Sequence, residues 1–296
     1  MNVVAIVGPT AAGKSALALR AAERTGRGEI VSADSRQVYR GMDIGTAKPT
    51  AAERELVAHH CIDLVDPGER YDAARYQRDG RAALAAVAAK GKTAYIVGGT
   101  GLYVRALLDG LDLGAAPTDP TVREALEARA VAEGGAALHH DLARIDPVAA
   151  ARVDPRNARR VIRYLELALL VGHVPAGQAE KIGCPRIGLD PPWPWLDLRI
   201  EARVRRMVED GVLEETRELV DAGMDPRLPS MSGHGYAHWT AHLRGDMTLD
   251  AAMAATARDV RAYSRRQMTW FRRDPDIRWV DPTATDPLQL LEEVAA

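Results

Sequence analysis

Cysteine is scarce in this chain of 296 residues, which contains only two. Cys61 and Cys184 lie far apart and lack the paired spacing of a zinc site, although His59 and His60 adjoin the first. The pattern favours two reduced thiols in a cytoplasmic protein and predicts no structural zinc.

The chain also lacks segments that would direct it to a membrane. No uninterrupted apolar run is long enough to span a bilayer, and no basic region of the signal-peptide type precedes the first apolar run. No internal repeat is evident. We therefore expect a cytoplasmic protein without membrane contacts, and we expect a monomer because the sequence shows no obvious interface signal.

Neither sign of charge is in large excess. The formal net charge is -2, and charged residues make up 27% of the chain. A polyanionic partner would therefore have to contact local clusters of Lys and Arg. With 47% hydrophobic residues, the chain can bury a substantial core and has room for one large domain and a smaller one.

What the sequence does contain is a complete phosphate-binding loop. Residues 8–15 read GPTAAGKS and match the pattern G-x-x-x-x-G-K-[ST]. An apolar run at residues 3–7 precedes them and a helical pattern at residues 16–23 follows, as this loop requires. We predict that the loop holds phosphates through Gly8, Pro9, Thr10, Ala11, Ala12, Gly13, Lys14 and Ser15.

Each residue type in this loop has a physical role. Gly8 and Gly13 permit the tight backbone path that turns amide groups and the helix N-terminus toward an anion. Lys14 adds a positive charge, and the Ser15 hydroxyl suits Mg²⁺. The motif identifies the anion that is bound but not the reaction.

Strand-like runs alternate with helical patterns in the first third of the chain. The strand-like runs are residues 3–7, 29–32 and 93–97, and the helical patterns are residues 16–23 and 71–89. This βαβ order predicts an α/β fold, a P-loop NTPase-like parallel sheet flanked by helices.

An inserted all-helical domain is predicted in the middle of the chain. The pattern becomes almost wholly helical from Thr118 onward, and a Gly/Pro-rich stretch covers residues 172–194. We expect a P-loop core and a helical insertion, with a closing helix at residues 249–273. The core is residues 1–115 and 196–296, and the insertion is residues 116–195.

Chemically capable residues follow the second and third strands, at the sheet edge where ligands gather. Asp34 is a candidate metal ligand or general base, although an aspartate there also caps turns. The third strand ends in Gly98-Gly99 and Thr100, with no acid where a motor-type P-loop ATPase places its metal-binding aspartate. This argues against an ATP-driven machine, and the glycines allow a ligand to approach closely.

Three groups of arginines stand out. Helical spacing places Arg156, Arg160 and Arg163 on one face, and clusters nearly free of acids indicate nucleic-acid contact, with a solvated helix face as the plain alternative. If Arg199 or Arg203 turned toward the phosphate loop, it would clamp a diphosphate. The groups are residues 152–163, residues 199–206 and residues 258–273.

Several motifs together resemble the tRNA dimethylallyltransferase family, and they cover nearly the whole chain. They are the phosphate loop, residues 32–49 (SADSRQVYRGMDIGTAKP), 98–103 (GGTGLY), 119–123 (DPTVR), 160–166 (RVIRYLE), 199–203 (RIEAR) and 266–272 (RQMTWFR).

The resemblance implies transfer of a dimethylallyl group from dimethylallyl diphosphate to N6 of the adenosine just 3′ of the anticodon in tRNA. The phosphate loop would then hold the prenyl diphosphate, with Asp34 as general base. Lys14, Arg203 and Mg²⁺ near Ser15 would stabilise the departing diphosphate. Thr100 would bind the diphosphate or help to seat the adenine.

The resemblance also implies which residues contact the tRNA anticodon stem-loop. They are Asp34, Ser35, Arg36, Gln37, Thr100, Arg123, Arg159, Arg160, Val161, Ile162, Arg163, Arg265, Arg266 and Gln267. Three departures from the family pattern fall on proposed RNA contacts and leave the catalytic centre unchanged. They are Arg159 in place of Gln, Ala237-His238 in place of [KR]-[EQ], and Ser264-Arg265 in place of Ala-Lys.

Three other functions remain open on the sequence. An isopentenyltransferase acting on free adenine nucleotides would share the phosphate loop and Asp34 but would have little use for an arginine-rich insertion. A small-molecule P-loop kinase would place ATP in the loop. A non-catalytic RNA-binding protein would bind RNA tightly without forming a product.

Overall fold

The structure is a computed structural model that describes residues 2–111, 117–174, 180–233 and 235–295. The strands are β1 (Val3–Val7), β2 (Gly28–Ser32), β3 (His59–His60), β4 (Thr93–Val97), β5 (Arg186–Leu189) and β6 (Ile277–Val280). The helices are α1 (Lys14–Thr25), α2 (Ala51–Leu56), α3 (Ala73–Ala89), α4 (Gly101–Leu108), α5 (Pro120–Glu133), α6 (Gly135–Ile145), α7 (Pro147–Ala150), α8 (Ala158–Val171), α9 (Trp193–Glu209), α10 (Val212–Asp221), α11 (Tyr236–Leu243), α12 (Leu249–Phe271) and α13 (Pro287–Ala295).

The six strands form one sheet in the order β3-β2-β4-β1-β5-β6, and every pair is parallel. This confirms the predicted parallel sheet flanked by helices. The carboxyl ends of β2, β4 and β1 therefore lie side by side at one edge, which is where parallel sheets bind ligands.

Helices cover both faces of the sheet, and β1 shows why its sequence is apolar throughout. Val4 and Ile6 pack into a core with α1 and α9, whereas Val3, Ala5 and Val7 pack into a second core with α3 and α4. A strand buried on both faces has no solvent side and needs no polar alternation. No helix in the described part of the chain is long and apolar enough to cross a membrane.

The chain divides into two compact units. The segments Met1–Asp109 and Lys181–Ala296 form one, here called the sheet unit, and Gly110–Glu180 forms the other, here called the helical unit. β5 and the start of α9 thus belong to the sheet unit, although the sequence analysis assigns residues 116–195 to the insertion. β5 has only four residues, which is too short for its pattern to be recognised as a strand in the sequence. The expected boundary at 115/116 touches residues outside the described ranges.

The chain also continues beyond the helix expected at its end. The sequence predicts a last helix at residues 249–273, which corresponds to α12. In the structure the edge strand β6 and helix α13 follow it. β6 has four residues and pairs only with β5. An edge strand this short carries little periodic signal.

A buried carboxylate joins three elements at the β2 side of the sheet. The Glu29 side chain is 1% exposed and accepts hydrogen bonds from Lys90, from Lys92 at 2.8 Å and from His60 at 2.8 Å. Burial alone would raise the pKa of Glu29, but the bonds from Lys92, His60 and Lys90 outweigh it and lower the pKa to about 2. Glu29 thereby stabilises the fold as an anion.

We expect Glu29→Gln to lower the free energy of unfolding by about 3 kcal/mol at pH 7, because three donors lose their charged partner in a buried position. Urea denaturation measures the loss. The depressed pKa means that the stabilisation is present above pH 4.5 and is lost as the pH falls toward 2, so the difference from the unmodified protein should narrow in acid. Glu69→Gln, at an exposed ion pair with Arg75, is the control, and an equal loss there would contradict the prediction.

Candidate active site

The phosphate loop follows β1 and opens toward the carboxyl edge of the sheet. Gly8 has φ 133°, and a Cβ added there would lie 2.7 Å from the Leu189 carbonyl oxygen, so only glycine fits. Gly13, at φ 100°, caps α1 without a side-chain hydrogen bond. The amides of the first helical turn are therefore left for an anion, which the positive end of the helix favours.

Three cations surround this loop. The Arg199 Nε donates to the Ala11 carbonyl oxygen at 2.9 Å, and Lys14 Nζ donates to the Pro9 carbonyl oxygen at 2.7 Å. Burial lowers the pKa of Lys14 to about 8, with Asp34 opposing this shift and Arg203 adding to it. The sequence does not determine whether an arginine of α9 turns toward the loop. In the structure Arg199 bonds to it, and Arg203 lies close enough to Lys14 to affect its pKa.

Asp34 is the carboxylate that belongs to this cluster of cations. Burial lowers the pKa of Arg203, and the negative charge of Asp34 opposes this shift. The two side chains therefore lie close enough for their charges to interact. One Asp34 oxygen, Oδ1, accepts the backbone N–H of Arg36 at 2.8 Å. Among the described residues, the other oxygen has no hydrogen-bond partner. The turn thus fixes the carboxyl group and leaves one oxygen for a ligand.

The ends of β2 and β4 are held together beyond the strands themselves. The Thr100 N–H donates to the Ala33 carbonyl oxygen at 3.1 Å, and the Thr100 Oγ1 accepts the Ser35 N–H at 3.0 Å. A Cβ on Gly98 would lie 2.1 Å from the Ala33 oxygen, so this approach requires glycine. Thr100 is therefore brought beside Asp34, as the sequence analysis expects.

Helix α12 contributes two side chains to the same centre. The Gln267 Oε1 accepts the Thr10 N–H at 2.8 Å, and its Nε2 donates to the Gly99 carbonyl oxygen at 3.0 Å. Burial raises the pKa of the nearby Tyr263 phenol, and the side chains of Thr100 and Gln267 oppose this rise. The sequence analysis does not assign Tyr263 a role, and only its position four residues before Gln267 could have suggested that both share one helix face.

The residues around the loop fit a magnesium ion that binds together with a diphosphate. Ser15 offers a hydroxyl at the start of α1, and Asp34 supplies a carboxylate beyond the end of β2, at the same edge of the sheet. In the described ranges no group of three or more His, Cys, Asp or Glu side chains could hold a metal by itself. This agrees with Mg²⁺ chemistry, in which one or two protein oxygens act with substrate phosphates.

Comparison with known proteins identifies the family. The family model described as IPP transferase matches residues 37–274, and the one described as Isopentenyl transferase matches residues 1–63. The first match spans well over half of the chain. This chain belongs to the IPP transferase family. The resemblance noted from the sequence motifs is thereby confirmed.

Curated relatives and solved structures agree with this assignment. The tRNA dimethylallyltransferase of Roseiflexus sp. is 47% identical over 96% of this chain and 94% of its own length. That of Anaeromyxobacter dehalogenans is 47% identical over 99% of both chains. The tRNA isopentenylpyrophosphate transferase of Bacillus halodurans matches at 40% identity with a TM-score of 0.72, over 99% of this chain and 94% of that one. A eukaryotic dimethylallyltransferase acting on tRNA matches at 26% identity with a TM-score of 0.81, over 97% and 75%.

In this IPP transferase, several residues expected to contact tRNA are engaged within the sheet unit. Arg36 donates to the Pro229 carbonyl oxygen and to the Ser232 hydroxyl. Gln37 accepts from the Ser32 hydroxyl at 2.8 Å and donates to the Ala47 carbonyl oxygen at 3.0 Å. These contacts hold the loop after β2 in place.

Gln267 requires a correction. The sequence analysis expects it at the RNA surface, but its side chain is buried between the phosphate loop and Gly99. Its neighbours Arg265 and Arg266 are exposed, as a surface for RNA requires, and stack over Trp193 and Tyr263 respectively. The difference arises because residues 265 and 266 lie on the outer face of α12 and residue 267 on its inner face.

The helical unit requires a similar correction. Val161 and Ile162 are expected to contact tRNA, but both side chains lie in the core of this unit. Arg123 and Arg163 donate to the fully buried Glu166 at 2.5 and 2.7 Å. Burial opposes the charge of Glu166, but the bonds from these two arginines outweigh it and lower its pKa. This cluster stabilises the unit.

Two of the arginines expected to contact tRNA, Arg159 and Arg160, lie at the surface of the helical unit. Arg156 precedes α8 and pairs with Asp154 at 2.9 Å, so it does not share a helix face with Arg160. Arg159 and Arg160 are exposed, and Arg160 stacks over Tyr164. In the parts of the helical unit that the structure describes, Arg159 forms no ion pair. These two arginines present free positive charge.

Proposed function

We propose that the protein transfers the dimethylallyl group of dimethylallyl diphosphate to N6 of the adenosine 3′-adjacent to the anticodon of a tRNA, with Asp34 as general base. Transfer of a dimethylallyl group to tRNA follows from the family to which the chain belongs. The observation that supports the more specific reaction is the Asp34 oxygen that has no hydrogen-bond partner within the described ranges, beside the cations of the phosphate loop.

The phosphate loop suits the leaving diphosphate. The open amides at the start of α1, together with Lys14 and Arg203, would stabilise negative charge on the oxygens as the C–O bond breaks. The allylic carbon shares the positive charge that develops as diphosphate leaves. When Mg²⁺ is held by Ser15 and the diphosphate oxygens, it supplies further positive charge to the leaving group.

Asp34 suits the acceptor. The exocyclic amine of adenine is a weak nucleophile because its lone pair is delocalised into the ring. Removal of its proton by the free oxygen of Asp34 would assist as the C–N bond forms. Thr100, fixed beside Asp34 through Ser35, would help to seat the adenine. The proton passes from N6 to Asp34, and the diphosphate departs with the electron pair of the C–O bond.

The residues that follow β4 favour prenyl transfer over phosphoryl transfer. Gly98 and Gly99 follow β4 and pack against Ala33 and Gln267, so no carboxylate occupies the place where a P-loop ATPase holds its metal. Prenyl transfer needs no such acid, because no nucleotide hydrolysis has to be organised.

The proposed function is tested by incubation of the protein with dimethylallyl diphosphate, Mg²⁺ and bulk tRNA. The nucleosides are then analysed by mass spectrometry. We expect N6-dimethylallyladenosine at the position 3′ of the anticodon. Preferential prenylation of AMP, ADP or ATP would identify a free-nucleotide isopentenyltransferase. Phosphate transfer from labelled ATP would identify a kinase, and tight RNA binding without product would identify a non-catalytic protein.

Asp34→Asn should lower kcat by a factor of about 10² to 10⁴, because the amide cannot take the proton. The amide oxygen still accepts the Arg36 N–H, so the turn is kept. We therefore expect the affinity for tRNA to stay within a few fold of the unmodified protein, measured by filter binding. Near-normal turnover in this variant would remove Asp34 from the mechanism.

Arg159→Ala combined with Arg160→Ala should weaken tRNA binding and flatten its salt dependence. The slope of log Kd against log salt should change by about 0.7 to 0.9 for each phosphate contact that is lost. Arg217→Ala is the matched control, because Arg217 is also exposed but pairs with Glu214 on its own helix. A salt slope unaffected by the double substitution would show that these arginines do not contact phosphates.

A further inference from the structure

The spacing between the phosphate loop and Asp34 depends on an intermediate segment. β4 lies between β1 and β2 in the sheet, so the loop after β4 separates the diphosphate side from the carboxylate side. Thr100 ties this segment to the loop after β2 through Ser35. What ties it to the phosphate loop is a side chain from α12.

Gln267 makes that second tie with its whole amide group. Its Oε1 accepts the Thr10 N–H of the phosphate loop, and its Nε2 donates to the Gly99 carbonyl oxygen. A Cβ on Gly99 would lie 2.0 Å from the Gln267 Nε2. The amide thus fills the space between the two loops and is buried there.

Tyr263 lies one helical turn earlier on the same face of α12. Its phenol lies close to Thr100, the residue that bonds to Ser35 beside Asp34. Burial raises the pKa of this phenol, so it stays neutral and acts as a hydrogen-bonding group. One rigid helix therefore holds the segment after β4 and the phosphate loop at the same time.

We propose that Gln267 and Tyr263 are a pair of positioning residues that set the distance between the bound diphosphate and the Asp34 carboxylate. The proposal rests on the proposed prenyl transfer, in which one substrate is held by each loop. Gln267 acts through the phosphate loop, and Tyr263 acts through Thr100. Neither side chain takes part in bond making, but displacement of either loop by about 1 Å misaligns the reacting atoms and costs up to about 100-fold in rate.

The first experiment compares two buried glutamines. Gln267→Met keeps the side-chain length but removes every hydrogen bond of the amide. We expect kcat to fall about 10-fold to 100-fold and the affinity for dimethylallyl diphosphate to fall about 10-fold. The affinity for tRNA should stay within about twofold. Gln77→Met is the control, because Gln77 is also buried and donates to the Ala106 carbonyl oxygen away from the site. We expect it to lower Tm and leave kcat within about twofold. Equal effects of both variants on kcat and diphosphate affinity would overturn the proposal.

The second experiment tests whether Tyr263 acts through Thr100. Tyr263→Phe should lower kcat about tenfold without changing diphosphate affinity, and the same change should have less than about a twofold effect when Thr100 is already valine. Tyr76→Phe is the control, because this buried phenol has no hydrogen-bond partner in the described ranges. A tenfold effect of Tyr263→Phe in both backgrounds would overturn the proposal for Tyr263.

These measurements separate the inference from the proposed function. Calorimetric titration with dimethylallyl diphosphate needs no turnover, so the effect of Gln267→Met on the phosphate loop is measured even if the unmodified protein fails to prenylate tRNA. If the unmodified protein prenylates tRNA and both variants match it, the proposed function stands and the positioning pair is wrong.

Discussion

The close approach of the chain segments after β2 and β4 is the constraint on which the candidate site depends. Parallel strands lie about 4.8 Å apart, so groups just beyond their ends stay close only if the backbone bonds continue. Here they do continue, through Ala33 N–H to the Val97 oxygen at 2.7 Å and Thr100 N–H to the Ala33 oxygen at 3.1 Å. Gly98 makes this approach sterically feasible. Because Asp34 and Thr100 follow directly, the sheet holds both residues in place.

Several residues of the motifs that resemble the family make contacts that hold the fold together. Glu215 of α10 accepts the backbone N–H groups of residues 43, 44 and 45 at 2.6, 2.6 and 3.0 Å, and so fixes the loop after Asp34 from behind. A Cβ on Gly45 would lie 2.6 Å from the Tyr236 ring, and Lys48 is buried between Asp43 and Asp63. The motif at residues 32–49 therefore forms a segment that is held in place at several points after Asp34.

The sequence predicts the parts of the structure that have strong periodicity or a strict local geometry. β1, the phosphate loop and α1 follow from an apolar run, two glycines and a helical pattern, and the placement of Asp34 and Thr100 follows from strand ends in a parallel sheet. β5 and β6 have four residues each and could not be recognised. The role of Gln267 could not be predicted either, because it depends on a contact with Thr10 across 257 residues of sequence. Local pattern contains no information about such a partner.

The arginines show the same limit at the level of one helix. A composition argument treats the arginines of residues 152–163 as one basic cluster, but binding to phosphates requires positive charge that the protein has not already neutralised. Glu166, three residues after Arg163, lies on the inner face of α8 and draws Arg163 inward together with Arg123. Arg159 and Arg160 lie on the outer face and keep their charge. A buried acid at helical spacing thus neutralises Arg163, and the sequence already contains that acid within the RVIRYLE motif.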